Sequence, residues 1–241
     1  MTIVIAFIFS IHTNLKLCFS TLFITAKGSS MMKTIISLLT LLLVGCSSGL
    51  QVSVPDSVYE NNQATGYLVG TLGANTEWPK TGKNLITTIN IRPLNTNTPS
   101  IVDSNIITIT NNNEDGHFEN PTISGHLFNI ELPVGQYEIF SIQLEGSDGN
   151  KTLISKNNSK MDITFSISAN QASYIGQFLA VSRIAKSELW NLEYPSGYGY
   201  LQHSYDQQRD KTLFSEQYPK QQATPFNLEL LTFTDNRVLK N

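Results

Sequence analysis

Two kinds of apolar pattern divide this chain. Before Cys46 the apolar residues come in unbroken runs, and from about Tyr67 onward they alternate with polar ones. A period of two marks half-buried strands, so the larger part of the chain reads as β. Strands are predicted over 67–72, 85–92 and 106–110. In the second of these Thr87, Ile89 and Ile91 alternate with Thr88 and Asn90. Further strands are predicted over 128–132, where Phe128, Ile130 and Leu132 alternate with Asn129 and Glu131, and over 137–144, 161–168 and 174–181. The last sixty residues are less regular. Residues 184–194, with Trp190, read as a loop or a short helix. Residues 198–205 carry Tyr198, Tyr200 and other polar-apolar alternation as a strand, and 206–217 form a short helix stopped before Tyr218-Pro219. Phe226, Leu228 and Leu230 alternate as a closing strand.

Turn chemistry separates these runs. Pro133-Val134-Gly135-Gln136 turns the chain, because Pro presets φ and Gly accepts positive φ. Glu145 to Asn150 and Ala169-Asn170-Gln171 are further turns, and the run from Asn111 to Gly116 ends the third strand. The apolar parity switches between Ile139 and Phe140, which predicts a bulge or burial on both faces. Many short strands joined by turns predict a mainly β fold, an antiparallel β-sandwich with one short C-terminal helix.

The apolar start of the chain has its own logic. Met31-Met32-Lys33 precedes an apolar run that ends in Leu43-Val44-Gly45-Cys46. A lysine holds the start of such a segment on the cytoplasmic side, and the run is too short to span a bilayer but suits a signal-peptide core. This order resembles the signal peptide and lipobox of bacterial lipoproteins. The resemblance implies cleavage before Cys46, acylation of its thiol and anchoring by two or three acyl chains, since one chain binds only marginally. Residues 31–45 are then the signal peptide. Residues 1–30 sit awkwardly ahead of it, interrupted by His12, Asn14 and Lys16. Lys27-Gly28 is encodable by a purine-rich ribosome-binding sequence two codons before Met31, so 1–30 read as an upstream extension that is not translated. Residues 46–64 read as a lipidated tether with a short strand at Val58-Tyr59, 65–233 as the sandwich and 234–241 as a flexible tail.

Three motifs carry a second resemblance. Gly66-Tyr67-Leu68-Val69-Gly70-Thr71-Leu72, Leu132-Pro133-Val134-Gly135-Gln136-Tyr137-Glu138-Ile139 and Tyr174-Ile175-Gly176-Gln177-Phe178 occur in that order. Together they resemble a group of bacterial lipoproteins with a transthyretin-like, or carboxypeptidase-regulatory-like, sandwich. The resemblance covers residues 66–181. It implies a transthyretin-like or Ig-like fold and an envelope compartment, and it brings no catalytic residues.

Charge and cysteine usage agree with an envelope protein held by lipid. Of the 16 basic residues, Lys16, Lys27 and Lys33 precede Cys46, as none of the 19 acidic residues do. The chain from Cys46 onward thus has 13 basic against 19 acidic residues, a net charge of −6. An acidic chain without a basic cluster is a poor partner for nucleic acid or anionic lipid surfaces. Cys18 lies upstream and Cys46 would carry lipid, so the body has no thiol to spare for a disulfide or a nucleophile.

Catalytic chemistry finds little footing. His117 and His126 flank a turn and could face each other across a hairpin, yet with Glu114 and Asp115 they meet no zinc-ligand spacing, so they read as solvent-exposed histidines. Asp206 and Asp210, either side of Arg209, read as a solvated helix start rather than a cation site. Ser173, Ser187 and Ser204 lack a nucleophile-elbow context, and there is no Gly-rich phosphate loop. No cofactor and no metal are expected. The remaining surface signal is aromatic. Trp190, Tyr194, Tyr198, Tyr200 and Tyr205 fall close together and could stack on a sugar or fill a partner's pocket, although strand formation and packing account for most such residues. Ser47 after the cysteine, where inner-membrane lipoproteins commonly carry Asp, points to the outer membrane. The expectation is a non-enzymatic outer-membrane lipoprotein facing the periplasm that binds an envelope protein or a glycan. The alternatives are an accessory subunit of an envelope assembly and a cell-wall hydrolase.

Overall fold

Alternation at period two gives each strand one face to bury, and two sheets packed face to face bury both sets at once. The computed structural model describes residues 49–59, 63–94, 105–157 and 159–241. The segments expected at 1–30 and 31–45, and Cys46 itself, lie outside these residues. The described strands are β1 (Leu50–Ser53), β2 (Thr65–Asn75), β3 (Ile86–Pro93), β4 (Ile107–Asn111), β5 (Phe118–Glu119), β6 (Ile123–Pro133), β7 (Gly135–Ser147), β8 (Thr152–Lys156), β9 (Ile163–Ile167), β10 (Ala172–Ser187), β11 (Leu192–Ser204), β12 (Phe226–Leu228) and β13 (Leu239–Lys240). The helix α1 (Gln207–Gln217) lies between β11 and β12.

The first sheet runs β1-β4-β3-β7-β8, with β9 also on β7, and all its pairings are antiparallel. The second runs β13-β11-β10-β2-β6-β5, with β12 also on β10. The molecule is thus the expected β-sandwich. The second sheet is mixed, because β2 and β12 pair in parallel with β10, and β13 with β11, while β2 with β6 and β10 with β11 are antiparallel. Parallel pairing of β2 with β10 follows from the chain path. Between them the chain visits the first sheet, then re-enters through Asn170, whose amide donates to the Thr65 carbonyl at the start of β2.

The predicted turns act as corners between sheets. Only Val134 separates β6 from β7, which lie in different sheets, so Pro133-Val134-Gly135 carries the chain across the sandwich. The Tyr137 hydroxyl donates to the Pro133 carbonyl at 2.8 Å and fastens this corner. Asn170, at φ 53°, makes the second crossing from β9 to β10. The predicted irregularity at Phe140 is present. Ile139 and Ser141 pair with consecutive residues of β3, so Phe140 is the extra residue of a bulge. Its ring receives the Arg92 guanidinium at 4.9 Å.

Between the sheets lies one large core. Leu68, Leu72, Phe128 and Leu132 from the second sheet meet Ile89, Ile109, Ile139 and Ile163 from the first. Each such side chain contributes about 1.5–3 kcal/mol on burial. The outer face of the second sheet is also covered. Val69, Leu127, Ala172 and Tyr174 pack against Phe214 of α1. This is why β2 is buried at nearly every position and does not show a simple alternation.

Three expectations are corrected by this arrangement. The stretch 46–64, expected as a tether, contains β1 on the edge of the first sheet, and Val58 enters the core from a 3-10 turn at Asp56–Val58. A polar-looking segment was captured because Leu50 to Ser53 could complete the β4 edge. The tail 234–241 is docked rather than frayed, with Val238 and Leu239 fully buried and β13 paired to β11. Residues 184–194 form no helix but the outer part of the β10–β11 hairpin, with only 188–191 as the connecting loop.

Truncating the shared core should be costly. Leu132→Ala or Phe165→Ala is expected to lower stability by about 2–5 kcal/mol while leaving a β-type far-ultraviolet circular dichroism spectrum. Urea unfolding monitored by that signal measures both.

Candidate functional site

The β10–β11 hairpin outgrows the sandwich. Pairing of β10 with β2 ends at Ala180, and the loop after β2 supports it as far as Ser182, whose amide and hydroxyl donate to the carbonyls of Lys80 and Thr81. Beyond this level Ile184 pairs with Pro195, Ala185 with Tyr194, Lys186 with Glu193 and Ser187 with Leu192. Asn191 closes the turn in the left-handed region at φ 50°, a conformation Asn tolerates better than most residues. The result is an arm with apolar residues in water: Leu189 is 82% exposed, Trp190 71% and Leu192 63%. Ile184 and Tyr194 are exposed behind them. Trp78, 69% exposed, sits two residues before Lys80 at the base of the arm.

The aromatic residues singled out from sequence separate in space. Trp190, Tyr194 and Tyr198 are exposed on the arm. Tyr200 lies in the sheet under the Arg183 guanidinium and the Lys240 ammonium, at 5.8 and 5.0 Å. Tyr205 is at the far end of β11, where its hydroxyl accepts from the Leu231 amide and its ring meets Tyr174 and His203 edge-on. Sequence reasoning missed Trp78, Leu189 and Leu192. The available signal was a break in alternation at Leu189-Trp190-Asn191-Leu192 with glutamates on both sides.

A second constellation lies under α1. Asp206 caps the helix by accepting from the Arg209 amide at 3.3 Å. One turn on, Asp210 is completely buried, which corrects its reading as part of a solvated helix start. Its Oδ2 accepts from the Tyr174 hydroxyl at 2.5 Å and from Thr71 at 3.2 Å. Its Oδ1 accepts from Arg209 Nε at 2.7 Å. Arg209 continues to Gln177 Oε1 at 2.8 Å and lies over the Phe118 ring at 4.1 Å. Burial, followed by the hydrogen bond to Asp210, raises the Tyr174 pKa. Arg209 Nε and Nη2, the Tyr174 hydroxyl and the Thr71 hydroxyl are all engaged within the group, which fastens α1 to the sheet, while Arg209 Nη1 is buried 3.7 Å from Asp206 with no hydrogen bond. The depression beside it, lined by Asp206, Gln208, Arg209, Thr212 and Leu213, is shallow and open.

The histidines do meet, as their flanking of a turn predicted. The rings of His117 and His126 are 4.9 Å apart and edge-to-face. His126 is buried rather than exposed, because β6 lies inside the second sheet between β2 and β5. Its Nε2 contacts the Asp115 carbonyl at 3.0 Å, and the Leu127 amide donates to His117 Nδ1. No group of three or more His, Cys, Asp or Glu placed to hold a metal occurs among the described residues. Ser173 is buried, and it shares no site with these histidines.

No protein-family model, curated protein or solved structure matches this chain.

The polar cluster should be all-or-none. Asp210→Asn leaves the largely buried Arg209 without its carboxylate and is expected to cost about 3 kcal/mol. Tyr174→Phe removes one donor and should cost about 1–2 kcal/mol. Urea denaturation of each variant tests the ranking.

Acid should destabilise the fold through histidine. Burial lowers the pKa of His117, of His126 (with the neighbouring His117 adding to the effect) and of His203. In the unfolded chain a histidine titrates near about 6.5, so below that pH the unfolded state takes up protons that the folded state refuses. This stability is full above the unfolded value and is lost as pH falls below it. The thermal midpoint is expected to drop between pH 7 and pH 5, and His203→Phe should flatten that slope. Calorimetry across the pH range measures it.

Proposed function

We propose that the protein is an outer-membrane lipoprotein, acylated at Cys46, whose β-sandwich serves as a non-enzymatic binding module facing the periplasm. The observation that carries this reading is Leu43-Val44-Gly45-Cys46 behind a lysine-led apolar run, directly ahead of a folded body. The body fits the role. Its cluster under α1 is spent largely on packing, and one projecting arm carries a run of exposed apolar side chains, Ile184, Leu189, Trp190, Leu192 and Tyr194. The Pro133-to-Gly135 corner, fastened by Tyr137, supports the likeness to lipoproteins with a transthyretin-like sandwich.

Acyl chains supply the anchoring in this reading, at about 0.8 kcal/mol for each buried CH₂. The acidic body adds no attraction to anionic lipid. In cells fed a palmitate analogue the protein should become labelled and fractionate with the outer membrane. Cys46→Ala should abolish the label. Unlabelled wild-type protein, wholly soluble in the cytoplasm, would overturn the proposal.

A further inference from the structure

The first strand of the body begins at the end of the sandwich from which the arm projects. The Gly49 carbonyl accepts from the Asn112 amide at 2.8 Å. Next to it, Asn113 donates through its side chain to the carbonyls of Gly82 and Leu85, at 3.3 and 2.6 Å. Gly82 in turn presses on Ala180 so closely that a Cβ there would fall 1.9 Å from its carbonyl oxygen. Ala180 and Ser182 are the last residues of β10 before the arm. A short chain of contacts therefore links Gly49, the Trp78 loop and the base of the arm.

In the lipoprotein reading only Cys46, Ser47 and Ser48 remain ahead of Gly49. Cys46 precedes Gly49 by three positions, a reach of about 10 Å at full extension. The arm advances from Arg183 to Ser187 before its turn, about 15 Å beyond the supported part of β10. An acylated Cys46 thus holds this end of the sandwich at the bilayer, within the length of the arm.

From these positions we infer that the arm and Trp78 rest in the interfacial zone of the bilayer that holds the acyl chains of Cys46. The inference rests on the lipoprotein reading. The chemistry of the arm favours lipid over a protein groove. In an antiparallel pair, opposed residues share a face and successive residues alternate. Leu192 is therefore on one face with Tyr194 and Ala185, the other face carries Ile184 with Lys186 and Glu193, and Leu189 and Trp190 occupy the turn. An apolar tip beside one apolar face, with the exposed Lys186 and Glu193 on the opposite face, suits an element lying in the interfacial plane with its charges toward water. Tryptophan and tyrosine are the residues that settle at membrane interfaces. Arg183 and Lys186 are balanced by Glu188 and Glu193, so contact rests on apolar area and not on charge. The second attachment would fix the orientation of the body, which acyl chains alone leave free to rotate.

The chain has two tryptophans, Trp78 and Trp190, and both lie in the inferred contact, so its intrinsic fluorescence reads the contact directly. The full chain is expressed in a bacterial host, purified from membranes in detergent and reconstituted into phosphatidylcholine vesicles with or without brominated acyl chains. Mass spectrometry of the same sample reads acylation of Cys46. Acylated protein is expected to show tryptophan emission shifted to the blue and quenched about twofold by brominated lipid, as for interfacial tryptophans. Leu189→Ser combined with Leu192→Ser should reduce that quenching with acylation and circular dichroism unchanged. Acylated protein whose tryptophans are not quenched and stay open to iodide would overturn the contact and leave the anchor standing. Tryptophans shielded from iodide but not quenched by brominated lipid would also overturn it, in favour of a protein partner on the arm. Protein recovered from cells without acyl chains would overturn the lipoprotein reading itself.

Discussion

Strand β10 must be apolar on both faces and hydrogen-bonded along both edges, and most of the molecule is arranged around that demand. Its inner side chains, Ile175, Phe178 and Ala180, complete the core between the sheets. Its outer side chain Tyr174 anchors the layer beneath α1. One edge pairs with β2, and the other is shared between β12 at its start and β11 from Gln177 onward. The switch of faces within the strand occurs at Gly176, at φ 94°, where the register with β2 shifts. Only glycine reaches that conformation without strain, and a Cβ there would fall 2.6 Å from His203 Nε2. His203 itself hydrogen-bonds the Ile175 carbonyl beside the bulge, which ties β11 to the same irregularity.

Covering the outer face of the second sheet requires a helix that has little reason to form alone. α1 is short and polar, and isolated helices of this length are marginal in water. Phe214 gives it one apolar contact, and Asp210 gives it a charged one at zero exposure. Burying a carboxylate is unfavourable unless its lone pairs are met, and here Tyr174, Thr71 and Arg209 meet them. Such a cluster adds little net stability compared with apolar packing, but it admits one position of the helix on the sheet.

The two ends of the sandwich differ in character. One carries the crossings between sheets at Pro133 and Asn170, where the backbone is held by hydrogen bonds to Ala64 and Thr65. The other carries the entry of the chain at Gly49, the Trp78 loop and the arm. Exposed apolar groups at this second end are the kind of surface that soluble monomers rarely leave uncovered. The polarity follows from topology. β10 and β11 outrun β2, their neighbour, and nothing in the second sheet covers the excess length.

Local pattern was sufficient for most of the long strands and for the helix with its Asp206 cap, because side-chain period and capping chemistry are properties of neighbouring residues, but not for the short strands β5 and β8. It also located the corner at Pro133 and the bulge at Phe140, where turn residues and a parity switch leave a mark in the sequence. Candidate site chemistry was half legible. The facing of His117 and His126 across a turn was, but the burial of His126 was not, since burial depends on which strands flank β6. The docking of β1 and β13 was hidden for the same reason: a short strand with weak alternation becomes ordered only when a distant edge offers it hydrogen bonds. Asp210 looked like a surface charge because its partners Thr71 and Tyr174 lie 139 and 36 residues away. By itself the sequence determined the period, the turns and the lysine-led apolar run that ends in Leu43-Val44-Gly45-Cys46. Tertiary structure alone decided which faces were covered, that Gly49 and the arm share one end, and which apolar residues were left in water, because each of these depends on pairings between segments far apart in the chain.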